Sequence, residues 1–227
     1  MFTFKLILGT IGSPVSIAIL LFLPAGTLDW WRAWVLIGVL FAGTIWAVLN
    51  LLRGHRDLLE ERLKLPVQKG QPFADKIVVL LFVVGFYGEI FFIPLDVFHL
   101  HLLSKPGPFV SLFGLILLIA GWWIAYLALR ENAFAAPVVK HQSDRNQTVV
   151  DTGIYGKIRH PMYAGGALVM IGMALWLESY AVTLLSLIPI ATLLVRISIE
   201  EKFLSRELQG YAAYTNRVPY RLIPYVW

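Results

Sequence analysis

Long apolar runs alternate with short polar links along this chain. A hydrocarbon core of about 30 Å takes roughly 20 apolar residues in helical form. Four stretches meet that length: Leu6–Pro24, Trp30–Leu52, Ile77–Phe98 and Phe109–Leu129. Trp30, Trp31 and Trp34 open the second as an interfacial aromatic belt. Two shorter runs follow, Ala164–Leu177 and Tyr180–Val195, parted only by Glu178 and Ser179, and they predict a short helical hairpin. The pattern therefore predicts an all-α, polytopic membrane protein of about six transmembrane helices. A four-helix region covers 1–129, and a second region, 130–227, carries a long polar connection, the hairpin and a tail.

Composition strengthens this reading. The chain is 58% hydrophobic and 15% charged, with a mean hydropathy of +0.72, which leaves too few charges to cover a soluble domain of this size. There is no cysteine, so disulfides, thiolate nucleophiles and Cys-ligated metals are excluded. The formal net charge of +5 follows the spans. Arg53, Arg56, Arg62, Lys64, Lys69 and Lys76 crowd the link after the second span, and Arg130, Lys140, Arg145, Lys157 and Arg159 crowd the link after the fourth. Lys202, Arg206, Arg217 and Arg221 lie in the tail, while the alternate links are nearly bare. The positive-inside rule then predicts that both termini and the basic links are cytoplasmic. The basic balance is topological, and no nucleic-acid partner is expected. His55–Leu65, charged and amphipathic, reads as an interfacial or solvated helix.

One polar stretch stands apart, Asp151–Gly166, reading DTGIYGKIRHPMYAGG. Pro161 suits the first turn of a helix, where its missing N–H costs nothing. His160 then sits at a helix N-terminus, where free backbone N–H groups and the dipole favour anions. A basic membrane flank would explain Arg159 and Pro161, but not the spacing of Tyr155, His160, Tyr163 and Gly165. Beyond the last span, Arg196 and Glu200 are four apart and share a helical face. Glu200-Glu201 also breaks an otherwise basic flank. Glu89, inside the third span, is costly there and a candidate for a lipid-facing cavity or a buried hydrogen bond. His99 and His101 lack partners for a metal. Tyr211 and Tyr214 read as interfacial anchors. The chain has no G-x-G-x-x-G, P-loop, G-x-S-x-G or H-E-x-x-H motif.

GIYGKIRHPMYAGG resembles the hallmark of the isoprenylcysteine carboxyl methyltransferase family, RHPxYxG after a G-x-Y. A second matching block runs from Arg196 through Glu200-Glu201, Leu204 and Gly210-Tyr211 to Arg217-Val218-Pro219. The resemblance covers about Val138 onward. It implies an integral membrane enzyme that uses S-adenosylmethionine, with a cytoplasmic cofactor site formed by the 130–163 connection and the C-terminal segment. It implies cofactor contacts from Lys140, Gln147, Thr148, Val149, Val150, Tyr155, His160, Pro161, Met162, Tyr163 and Glu200, with Glu201 as the alternative carboxylate. Arg196 matches the position expected at the substrate.

The implied reaction moves a methyl group to a lipophilic acceptor arriving from the bilayer, a carboxylate of the isoprenylcysteine type. A carboxylate is ionised at neutral pH, so Arg196 would clamp it and His160 would fix the cofactor instead of acting as a base. A phospholipid amine or a thiol would need deprotonation. Two other readings stay open. The tail VPYRLIPYVW with RHP-x-Y-x-G also resembles NADPH-dependent sterol reductases, and a non-catalytic accessory protein could keep the fold.

Overall fold

The computed structural model describes residues 2–227, and every regular element among them is helical. In order these are α1 (Phe2–Ala25), α2 (Trp31–Leu52), α3 (Arg56–Arg62), α4 (Phe73–Leu95), α5 (Pro108–Glu131), α6 (Pro161–Trp176), α7 (Tyr180–Leu185), α8 (Leu187–Glu207) and α9 (Tyr211–Arg217). A π-helical turn, Asp96–Leu100, extends α4. Five segments are long and apolar enough to cross a membrane: α1, α2, α4 with its extension, α5, and Tyr180–Glu207, which joins α7 and α8. At 16 residues, α6 is apolar but shorter. Large apolar side chains such as Leu8, Leu23, Leu80, Val84 and Ile188 are exposed around the outside, as lipid contact requires.

The last two spans do not form the tight, short hairpin that the sequence predicts. The second arm runs through Glu207, because Arg196–Glu207 keeps helical phase after its apolar character ends. The arms also have different partners. α6 packs chiefly on α5 and α8 chiefly on α4.

The α5–α6 contact is backbone against backbone. A Cβ on Gly165 would stand 2.5 Å from the Gly121 carbonyl oxygen, and one on Gly172 would stand 2.5 Å from the Leu118 nitrogen. Gly114 and Gly121 reciprocate from α5. Small residues allow such approach in a bilayer, where association depends on close van der Waals packing. Gly165 therefore serves packing. Between α4 and α8 the closest approach is looser, with Gly85 facing the Pro189 ring at 3.1 Å from a built Cβ.

The main core lies toward one end, where Leu21, Leu36, Ile90, Ile93, Met173, Leu177 and Val182 are fully or almost fully buried. Polar ties close that end. Arg32 pairs with Glu178 at 3.0 Å and lies over the Trp31 and Trp176 rings. The Ser179 hydroxyl donates to Asp96 at 2.6 Å and caps α7 by accepting from the Val182 N–H. The opposite end gathers Phe2, which lies under Arg56, α3, the 132–160 connection, α9 and the tail. The two ends of the chain thus share one face of the bundle. That face is hollow.

Candidate functional site

The site begins with the start of α6. Pro161 occupies its first turn, and the His160 carbonyl accepts the N–H groups of Tyr163 and Ala164, both at 3.1 Å. Just upstream, Gly153 takes φ +55°, and a Cβ there would strike the Glu131 carboxylate at 2.6 Å. The same carboxylate accepts from the Thr152 hydroxyl, fixing the Gly153–Gly156 turn to the end of α5.

The tail clamps the motif from the other side. The Arg159 and His160 N–H groups donate to the carbonyls of Tyr220 and Arg221, each at 2.9 Å. The Arg159 guanidinium donates to the Val218 carbonyl at 2.7 Å, the Pro219 carbonyl at 2.9 Å and Glu201 at 2.7 Å. Glu201 also accepts from Arg221 at 2.9 Å and lies 3.2 Å from His160 Nε2. Arg159 and Glu201 therefore form a structural hub that joins α8, the motif and the tail.

A cavity of about 410 Å³ opens beside this hub, between the α5–α6 and α4–α8 pairs. Lys140, Gln147, Thr148, Val149, Val150, Tyr155, His160, Met162, Tyr163, Arg196 and Glu200 all line it. Pro161, the remaining member of the expected set, is buried in the first turn of α6 and does not line it. The two adjacent acids separate here. Glu200 faces the cavity and accepts from the Tyr163 hydroxyl at 2.6 Å, whereas Glu201 is consumed by the hub and is absent from the lining. The His160 ring stacks on Tyr163, with centroids 5.5 Å apart, so both rings are held against one wall.

Arg196 is buried and already partnered. Its Nε donates to Asp75 at 3.0 Å and its Nη2 to the Pro137 carbonyl at 2.7 Å. Asp75 also accepts from Gln71 at 2.7 Å and from the Val139 N–H at 3.0 Å. Complete pairing is what lets so buried a carboxylate persist. It pins α4, α8 and the 137–139 wall together. Lys140 is tied to Glu61 at 2.6 Å and Gln68 at 3.0 Å, and the Gln147 side-chain oxygen accepts from the Gln142 N–H at 2.9 Å. Burial opposes ionisation of Glu61, but hydrogen bonds and charge from Lys140 and Lys64 outweigh it and hold its carboxyl below the usual range.

Sequence reasoning missed several of these residues. Asp75 stands at a span edge beside Lys76, and its partners lie far along the chain. Arg62, counted as a topological charge, lines the cavity from the last residue of α3. Tyr211 and Tyr214 are no interfacial anchors: both are buried, and both line the cavity. They pack with Val149, Leu204, Leu208 and Val218, and the Tyr214 hydroxyl donates to the Tyr155 carbonyl at 2.8 Å. Burial raises the phenol pKa of Tyr155, Tyr211 and Tyr214, so these hydroxyls stay neutral at physiological pH. Glu89 is buried without a hydrogen-bond partner and does not line the cavity.

No curated protein matches the chain. Residues 109–210 match the family described as phospholipid methyltransferase. That segment holds Arg196 and all the cavity-lining residues expected to bind cofactor. The match favours the methyltransferase reading over the reductase reading. Over that segment the chain is similar to the phospholipid methyltransferases, and its long apolar helices suit a membrane methyltransferase.

Proposed function

We propose that this membrane methyltransferase uses S-adenosylmethionine as donor and methylates a lipophilic carboxylate of the isoprenylcysteine type, from a site on the cytoplasmic face. One observation carries the reading: eleven of the twelve expected site residues line a single cavity, with Pro161 alone outside. The cavity volume lies in the range of small-molecule and cofactor sites. Its donor set also fits such a cofactor. Glu200 keeps an oxygen free for a ribose hydroxyl or an ammonium, and Tyr155 and Tyr163 offer aromatic surface to a cation. The 147–150 strip lies outside any helix and brings backbone donors and acceptors to the cavity wall for an adenine edge.

S-adenosylmethionine held there would supply an electrophilic methyl group, the acceptor oxygen gaining the C–O bond as the methyl–sulfur bond is lost and its electron pair is left on sulfur. The chain's residues need only orient the partners and exclude water. Arg196 keeps Nη1 after serving Asp75 and Pro137, enough for a charge-assisted hydrogen bond to an acceptor carboxylate. Val79, Phe82, Val83 and Leu193 line an apolar flank suited to a lipid chain. His160 is held by Glu201 and Tyr163, so its part is to position. No proton has to move, because the acceptor is already ionised.

In Arg196→Ala, S-adenosylmethionine binding should survive while transfer to a prenylated cysteine falls at least about 100-fold. Unchanged turnover would remove Arg196 from the mechanism. A phospholipid, the class named in the matched family's description, methylated at its headgroup amine, is the second reading. Offering prenylcysteine and phosphatidylethanolamine side by side with labelled donor separates the two.

A further inference from the structure

Resting on that donor, we infer that Arg62 is a binding residue for its α-carboxylate. The inference comes from how the cavity's charges are paired. Lys140 has Glu61, Arg159 has Glu201 and Arg196 has Asp75, each within 3.0 Å. Arg62 lines the same cavity and, among the described residues, has no carboxylate partner. Its Nη1 donates to the Ala135 carbonyl at 3.1 Å and lies 3.7 Å from Met162 Sδ, and its other N–H groups are unused. Glu61, next to it in sequence, is already taken by Lys64 and Lys140.

Arg62 is solvent-exposed at the mouth of the cavity, so water meets its charge until a ligand arrives, and its planar fork matches a carboxylate. A ligand in the cavity can supply the anion. Glu200 is the complementary case, a cavity carboxylate without an Arg or Lys partner. A cation without a carboxylate partner and a carboxylate held only by Tyr163 and His160 face one cavity, which suits a ligand that carries both signs, as an amino-acid group does.

The contacts of Arg62 place it on the donor side. It touches the 132–160 connection and the first turn of α6, the two elements that carry the 147–150 strip and Tyr163. It is held there firmly, since Leu58 and Leu59 of α3 are buried, Leu59 in a cluster with Leu6, Leu51 and Tyr126. Arg196, by contrast, is tied to Asp75 of α4 and the Pro137 carbonyl and lies over the far side of the site, against the Tyr163 ring. Val79, Phe82, Val83 and Leu193 line the flank there, where an acceptor tail would enter.

The test is equilibrium binding to the full chain in detergent, with S-adenosylmethionine and its decarboxylated analogue as probes. The wild type should bind S-adenosylmethionine about 30-fold more tightly than the analogue, a range typical of a hydrogen bond to a charged group. Arg62→Gln should erase that preference by weakening S-adenosylmethionine alone, while analogue affinity, which also reports intact folding, stays the same. Equal loss for both probes, or a preference that survives, would overturn the role. So would a variant with normal donor affinity and a raised KM for a prenylcysteine acceptor, since the anion would then be the acceptor's. Wild type that binds neither probe would instead overturn the donor reading itself.

Discussion

Gly165 and Gly166 are adjacent in one helix, yet they face two different regions. Gly165 looks into the α5–α6 seam, where no Cβ fits between backbones. Gly166 lines the cavity, and its nearest neighbour to a built Cβ is Leu193 Cδ1 at 3.9 Å. On one side α6 is fused to α5; on the other it stands off from α8. The comparison teaches that the cavity depends on the seam. Because α6 takes its stability from α5, it needs little from α8, and the space between them can stay open for ligands.

The comparison can be broken outright with Gly165→Val, which puts side-chain atoms into backbone and should leave no folded protein in detergent, measured by size exclusion. Asp75→Ala attacks the cavity side. It strands a buried guanidinium and should destabilise by about 3 kcal/mol in thermal unfolding; a much smaller loss would mean that Pro137 alone satisfies Arg196. The adjacent acids sharpen the contrast between ligand wall and structural hub. Glu200→Gln should weaken donor binding about tenfold with little change in melting, while Glu201→Gln should lower the melting point by releasing Arg159 and Arg221. If both variants moved the same quantity, the division between them would be wrong. Gly166→Ala should be neutral or stabilise by up to about 1 kcal/mol, because helix propensity improves and no clash results.

A comparably small effect lies outside the membrane. Glu61 has a depressed folded pKa, so its contribution is present above the ordinary carboxylate pKa and fades as pH falls through the folded value. Glu61→Gln should therefore cost about 1 kcal/mol at pH 7. The gap from wild type should close only below the usual carboxylate range. A gap constant with pH would mean that packing, not charge, holds Glu61.

Much of this was legible in the sequence because membrane helices announce themselves by length. The four long spans fall within a few residues of α1, α2, α4 and α5, and Pro161 starts α6 as its ring geometry predicts. What was illegible is what apolar periodicity cannot carry. α8 continues past Arg196 in a stretch of mixed charge, where hydropathy falls but helical phase does not. Glu200 and Glu201 differ by one step of helical rotation, and only the packed neighbours decide which faces inward. Arg62 and Asp75 each read as one more surface charge, since the partners that define them lie on helices far along the chain. Tyr211 and Tyr214 looked amphipathic and turned out to be core, because the tail folds back over the connection.

That return of the tail has a consequence for how the protein is made. The backbone of Arg159 and His160 is paired with Tyr220 and Arg221, and Arg159 also caps the carbonyls of Val218 and Pro219. These partners leave the ribosome some sixty residues after the motif that they complete. A nascent chain can thus insert all its spans and still hold an unfinished site. The spans record insertion; competence waits for the tail.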